Sequence, residues 1–394
     1  MSSSATSLSA EQTTRWRSRV ESLGLDPDLD ARNYRVLRTT HSLEELKKMY
    51  NAPAFPFARK CDLTAAKVSK LPDALMRRHV ERHISGECVV SDPEVIKAIE
   101  QRVKTFYTWV RAALDIVVTA ADPVIVRHSG NVLYGTVTIE DGGYIRILAP
   151  CHFECVTLNN ISGAANTIQV LGIDGPNAMN GLSPTQPVQA GKGGDVECDC
   201  CGGAVAHDAT PGDPGTPGGN GGDAPTNGGP GQPGPPVLFT VTDSLPALVS
   251  FLNQGGQGGN GGSGGMGAPG GQGGNGGNGG SCGAYHPDGA NGGDGGKGGN
   301  GGNASNGSDG GKGGTLTIIV PAVQAANVAV TLGEAAGGLK GNRGFKGLGG
   351  PGGAGGSHGG SPGETGAPGD TDGNDGAPGN PGGKGSATIN GNPV

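Results

Sequence analysis

The residues able to do chemistry in this chain of 394 residues are few and scattered. The eight cysteines are Cys61, Cys88, Cys151, Cys155, Cys198, Cys200, Cys201 and Cys282. An even count suits disulfides and the lack of a signal-peptide pattern suits free thiols, while Cys198-Asp-Cys-Cys201 is dense enough to chelate a metal, so three readings stay open. As a strand, Cys151-His-Phe-Glu-Cys155 puts both sulfurs on one face, too far apart to bond each other. His79-Val-Glu-Arg-His83 sets two imidazoles at i, i+4 on one helical face, a spacing that can bind zinc. No paired Cys-x-x-Cys accompanies it and the helix is otherwise charged, so the expectation is solvated histidines and no metal site.

No Ser-His-Asp or paired-carboxylate constellation emerges, and the Gly-x-Gly runs are followed by no Gly-Lys-Ser/Thr after a strand. The expectation is therefore a protein without catalytic residues or cofactor. Binding is the better prospect. Ser281-Cys-Gly-Ala-Tyr-His-Pro-Asp288 reads as a loop tip in an aromatic-poor half, and tyrosine on a supported loop is a common contact residue. Tyr285, His286 and Asp288 are the candidate binding residues, the bland alternative being a tyrosine that plugs the edge of the glycine-rich packing.

Three different materials must position these groups. Residues 1–115 read as a helical docking or assembly module. Ser9-Ala-Glu-Gln12, Ser42-Leu-Glu-Glu45 and Ser91-Asp-Pro-Glu94 fit the capping-box pattern, the third strengthened by Pro93. After it Ile96, Ile99, Val103, Phe106, Val110 and Leu114 recur at helical spacing, and a helix from Pro72 would align Leu75, Met76, Val80 and Ile84. Residues 116–180 change to short β-type runs such as Thr136–Ile139, Tyr144–Leu148, Phe153–Leu158 and Thr167–Leu171. They suit a small all-β collar, either a sandwich or a short parallel β-helix.

Residues 181–394 are dominated by glycine: of 81 glycines, only nine precede Gly181. They keep a three-residue frame through Gly255, Gly258, Gly261 and Gly264 to Gly279, then through Gly292, Gly295 and Gly298, and again through Gly341, Gly344 and Gly347. A flexible linker has no reason to hold such a frame. Three residues per turn is the polyproline-II helix, which has no internal hydrogen bonds and must find partners elsewhere. Gly at every third position bares one flank for a neighbour. The run 255–280 has nearly two glycines per turn and a single proline, which favours a bundle of one chain folded back and forth over a collagen trimer or disorder. Frame slips at 359–363 and 369–373 then mark turns. Apolar runs at Val237–Val241, Leu245–Leu252, Thr315–Val320 and Val328–Leu332 are expected to be strands that anchor the bundle to the collar. The predicted fold class is thus multi-domain: an α-helical N-terminal module, a small all-β collar and a C-terminal polyglycine-II bundle.

Runs such as Gly255–Gly265 and Gly292–Gly302 resemble those of the polyglycine-II sandwich proteins, over roughly residues 190–394. The tail-fibre-tip adhesins of some T-even-like bacteriophages are similar in joining an attachment domain to a Gly-rich bundle, and snow-flea-type antifreeze proteins share the packing principle. The resemblance implies a scaffold whose inter-run loops meet a receptor; by position those loops would include Ser281–Asp288.

Charge narrows the partners. Residues 1–115 carry 19 Lys+Arg against 15 Asp+Glu, and the rest carry 9 against 20. An acidic, aromatic-poor half argues against nucleic acid. The first residues lack an apolar h-region and no stretch is long enough to span a bilayer, so no signal peptide and no membrane insertion are expected. That leaves a virion or extracellular surface reached by a signal-less route, or the cytoplasm. The partner expected is a cell-surface or glycan receptor, with self-assembly into a filament or sheath and ice binding as alternatives; homo-oligomerisation fits the second.

Overall fold

The computed structural model describes residues 8–23, 25–28, 35–50, 59–84, 88–198, 205–282 and 285–394. The N-terminal part runs α1 (Ala10–Ser22), β1 (Arg35–Thr40), α2 (Leu43–Tyr50), β2 (Arg59–Lys60), α3 (Ala65–Lys70), α4 (Asp73–Ile84), β3 (Cys88–Val89) and α5 (Pro93–Val103). Ser9 and Gln12 form the reciprocal capping box at α1. At α5 the cap lies one residue later than the sequence suggested: Asp92 Oδ1 accepts from Glu94 N at 3.0 Å. Met76, Val80 and Ile84 are buried on α4, whereas Leu75 is exposed.

The expected helix through Leu114 is corrected. It ends at Val103, Lys104 takes φ 56°, and Phe106 opens a strand. The sequence Phe-Tyr-Thr-Trp-Val is aromatic and β-branched, and it buries Phe106, Thr108 and Val110 alternately, a period of two overriding the accidental helical spacing.

From there the chain winds as a coil between two sheets. β4 (Phe106–Val118), β6 (Gly130–Ile139) and β8 (Cys151–Asn160) alternate along the chain with β5 (Val124–Val126), β7 (Ile145–Ile147) and β9 (Ile168–Leu171). After a short antiparallel pair, β10 (Glu197–Cys198) and β11 (Val205–His207), the alternation resumes with β12 (Val237–Ser244), β13 (Val249–Gln254), β14 (Thr315–Ile319), β15 (Val328–Leu332) and β16 (Ser386–Ile389), before the terminal β17 (Asn392–Pro393). The first set builds an eight-stranded sheet in the order β1-β4-β6-β8-β12-β14-β16-β17, parallel from β4 to β16. The second builds a parallel five-stranded sheet, β15-β13-β9-β7-β5. Apolar residues from both sheets fill the space between. Phe153 stacks on Phe239 at 4.7 Å, with Phe251 edge-on to Phe239 at 5.0 Å. Each such side chain, fully buried, contributes on the order of 1.5–3 kcal/mol. The opposite face of β4 and β6 carries Val110, Ala112 and Leu133 against Trp16 and Val20 of α1.

This corrects the expected fold class. The fold is mixed α/β, organised by two sheets that run from β1 near the N-terminus to the last residues; it is not a helical module, a small separate collar and a bundle standing in series. The glycine-rich stretches are mostly without helix or strand, and they are excursions of the coil: 172–236 connects β9 to β12, 255–314 connects β13 to β14, and 333–385 connects β15 to β16. On the earlier turns the same connection is only the short 127–129 and 148–150. The expectation missed this because glycine content shifts so sharply near residue 181, while sheet registry, which ignores composition, crosses that shift.

Each excursion runs out and returns. In the second, Gly311 N donates to Gly256 O, Ser308 N to Gly259 O and Gly302 N to Gly265 O, at 2.8–3.0 Å. Excursions also bond to one another in register: Gly175 N to Gln257 O, Gly261 N to Leu339 O, Gly295 N to Glu364 O, at 2.8 Å. The bonds recur at every third residue, which is why the glycine frame has that period.

Candidate recognition site at the excursion tips

The candidate site is built where the three excursions turn. Val196 N, leaving the first, donates to Asn278 O of the second at 2.9 Å, and two residues on Cys198 is bonded to Cys282. Cys282 and Tyr285 exchange backbone hydrogen bonds of 2.8 and 3.2 Å, closing a tight loop. The third excursion joins through Gly279 N to Ser357 O at 2.9 Å and Gly289 N to His358 O at 2.7 Å. His358 itself has φ 64° and Gly359 φ 100°, the left-handed turn that reverses this excursion.

On this support Tyr285 is 56% exposed, and His286 and Asp288 are exposed beside it while Pro287 is buried. The three candidate residues therefore share one loop and face solvent together. Two further side chains come to the same end without a signal in the sequence: exposed His207 from β11 and exposed His358. Nothing in their local sequence marks them; only the stacking of the excursions places them. At the base of this end, the Asn278 N–H and the Lys192 ammonium, 2.7 Å away, hold the Asp195 carboxyl below its usual range. The arrangement offers a phenol, imidazoles and a carboxylate to an external surface. Cys200 and Cys201 lie outside the described residues.

The framework glycines are fixed by sterics. A Cβ added at Gly255, Gly258, Gly261 or Gly264 would stand 1.9–2.2 Å from a carbonyl oxygen of the returning run. At Gly292, Gly295 and Gly298 it would stand 1.9–2.2 Å from the third excursion, and at Gly341, Gly344 and Gly347 1.9–2.0 Å from the second.

The residues between glycines also have a task the sequence did not reveal. Asn177 Oδ1 accepts from Asn260 N, and Asn260 Oδ1 accepts in turn from Leu339 N, both at 2.8 Å. The same relay runs from Asp223 to Asn303 N and from Asn303 to Asn374 N. A carboxamide or carboxylate oxygen at the third position thus satisfies a backbone donor that the three-residue frame leaves over. The abundance of Gly-Gly-Asn and Gly-Gly-Asp is the signal that could have shown it.

The other chemical candidates resolve differently. Cys61 pairs with Cys88, and Cys151 and Cys155 are free, buried thiols on one face of β8, pushed up in pKa by burial. His83 corrects the expectation of a solvated side chain: it is 4% exposed, its Nδ1 accepts from Val90 N at 3.1 Å, and burial lowers its pKa to about 4. His152, against α2, is likewise lowered to about 4 by burial, its Nε2 3.1 Å from Thr240 Oγ1. No His, Cys, Asp and Glu cluster with metal-binding geometry occurs among the described residues. No helix among them is long and apolar enough to cross a membrane.

No protein-family model and no curated protein matches the chain. Among solved structures it is weakly similar to a springtail antifreeze protein from Granisotoma rainieri, a nine polyproline type II helical bundle whose crystal waters match the ice lattice. The similarity is 26% identity over 44% of this chain and 92% of that one, with a TM-score of 0.08, far below that of a shared fold.

Proposed function

We propose that this chain is a non-catalytic binding protein that holds the tips of its glycine-rich excursions against a receptor, either a cell-surface protein or a glycan. The observation that carries the reading is the 56% exposed Tyr285 on a loop tied down by the Cys198–Cys282 bond and by backbone bonds to the two neighbouring excursions. An exposed aromatic on a rigid base binds with little loss of conformational freedom, the condition under which tyrosines act as anchors. His286 and Asp288 flank it and would set polar specificity.

The test is binding of the full chain to a glycan array and to intact cells, with Tyr285→Ala and the double variant His286→Ala/Asp288→Ala beside it. A loss of at least tenfold in each, with an exposed change elsewhere such as Leu182→Ser leaving binding intact, supports the reading. Binding that survives both variants overturns it.

A second reading, association between copies, is supported by one observation. Ile173, Met179, Leu182 and Val188 lie at multiples of three along the outermost run and are 50–86% exposed. Sedimentation velocity over a hundredfold concentration range tests it: a monomer throughout refutes association.

A further inference from the structure

The two sheets of the coil do not end together. The eight-stranded sheet continues past β4 to β1, whereas the five-stranded sheet stops at β5, which pairs on one side only, with β7. Among the described residues no strand occupies the place beside β5 that would face β1. The side chains that such a strand would cover are large and uncovered: Leu37 is 42% exposed, Tyr107 63% and Trp109 36%. They form one surface, since Leu37 is directly opposite Trp109 in the β1–β4 register and Tyr107 is two residues away on the same face. Trp109, Ile125 and Arg127 line a common crevice at this end. The edge is short, three residues between Pro123 and Arg127, and within Val124-Ile-Val126 there is no charge, proline or bulge to turn a partner strand away.

We infer that this open end receives an extended, acidic segment of a partner polypeptide, which adds as a strand to β5 and covers Trp109. The edge selects an extended backbone, because a strand supplies donors and acceptors at the spacing of β5 and a helix does not. Charge selects the partner's sign. Arg127 and His128 are exposed beside the crevice, and Arg127 has no ion pair among the described residues. Arg111, on the same face as Trp109, has a buried Nε without a hydrogen-bond acceptor. The two arginines disfavour a second copy, since a symmetric pairing would set Arg111 and Arg127 against themselves. This surface is separate from the excursion tips, so the inference stands or falls independently of the receptor reading.

The test uses the full chain and three blocked heptapeptides, followed by the emission of Trp109, with Trp109→Phe to subtract buried Trp16. One peptide alternates valine and glutamate, one alternates valine and lysine, and one carries glutamates with proline at every second position. Saturable binding with a blue shift is expected for the valine–glutamate peptide alone. Arg127→Glu should weaken it at least tenfold. Ile125→Pro should abolish it, with circular dichroism as the check on folding, while Ile125→Val should leave it unchanged. Four results overturn the inference: no saturable binding of the valine–glutamate peptide; equal binding of the lysine or the proline peptide; undiminished binding by a folded Arg127→Glu; or dimerisation of the free chain that Trp109→Ala abolishes.

Discussion

Asn253 offers the sharpest test of how the excursions are tied to the coil. It is fully buried on β13, where the second excursion departs. Its Oδ1 accepts from Gly314 N at 3.0 Å, and its Nδ2 donates to Gly314 O at 2.8 Å and to Ser386 O at 3.1 Å. Gly314 and Ser386 are the points at which the second and third excursions re-enter the eight-stranded sheet, so one carboxamide fastens three turns of the coil. In Asn253→Ala the Gly314 carbonyl keeps Ser386 N as a donor at 3.0 Å. The Gly314 N–H, however, loses its acceptor in a buried site, while the Ser386 carbonyl keeps its donor, Leu316 N, in the parallel β14–β16 ladder. An orphaned buried donor costs about 1–3 kcal/mol. Asn303→Ala is the matched control. It removes the Oδ1 that accepts from Asn374 N at 2.9 Å, but on an exposed run, where water replaces it and the loss is about 0.5–1 kcal/mol. Urea unfolding monitored by circular dichroism gives the two values, and amide exchange of Gly314 shows whether the junction opens locally. Equal costs for the two variants would refute the junction role.

Three further outcomes follow from the same geometry. Gly264→Ala would set a methyl 2.0 Å from the Gly302 oxygen and should cost about 3 kcal/mol or more, whereas Gly383→Ala, whose nearest atom is Lys312 Cγ at 3.8 Å, should stay within about 0.5 kcal/mol by the same unfolding measurement. His83 and His152 titrate near 4 in the folded chain and near 6.5 when unfolded, so the unfolded state binds more protons between those values; stability should fall as pH drops from 6.5 to 4, by on the order of several kcal/mol in all, and the double change to Gln should flatten that slope in pH-dependent urea melts. The Cys198–Cys282 bond closes a separation of 84 residues, so the double change to Ser should cost about 2–4 kcal/mol, read as faster amide exchange at Tyr285 and Val196.

What was legible in the sequence depended on the range of the signal. Local signals were reliable. Ser9 with Gln12 marked a helix start, and alternation in Thr136–Ile139 or Phe153–Leu158 marked strands, because capping and pleat are settled within a few residues. Phe106 and Val110 misled because residues at i and i+4 satisfy a helix and, being even-spaced, a strand equally well; Thr108 between them decides it. The three-residue period was legible, but the coil to which it belongs was not, since β8 and β12 pair across the whole first excursion. Tyr285 could be picked out by its rarity in an aromatic-poor half. His358 could not, since the third excursion brings it to the tip from more than seventy residues away.

The order and the end of the stack are nevertheless written in side chains. In the second return run Gly292, Gly295 and Gly298 donate outward to Ser361, Glu364 and Ala367 of the third. Among the described residues the third has no run beyond it, and the residues that follow Ser361 and Ala367 are Pro362 and Pro368, whose nitrogens have no hydrogen to leave unpaired. Where the outgoing third run keeps its donors, aspartates released by the frame slip at 369–373 take them: Asp375 Oδ1 accepts from Arg343 N at 3.0 Å and Asp372 Oδ1 from Lys346 N at 2.9 Å. Asn and Asp at the third position therefore announce a following run, while Pro and the two displaced aspartates announce that none follows. The second excursion, bonded on both sides, has almost no proline and two glycines per period, because its runs must admit backbones on two flanks. The outer excursions need one bare flank and can give the other to proline. Composition within a glycine-rich tract thus reports how many neighbours each run has, and it closes one edge of the stack by the devices that sheets use to avoid unwanted pairing.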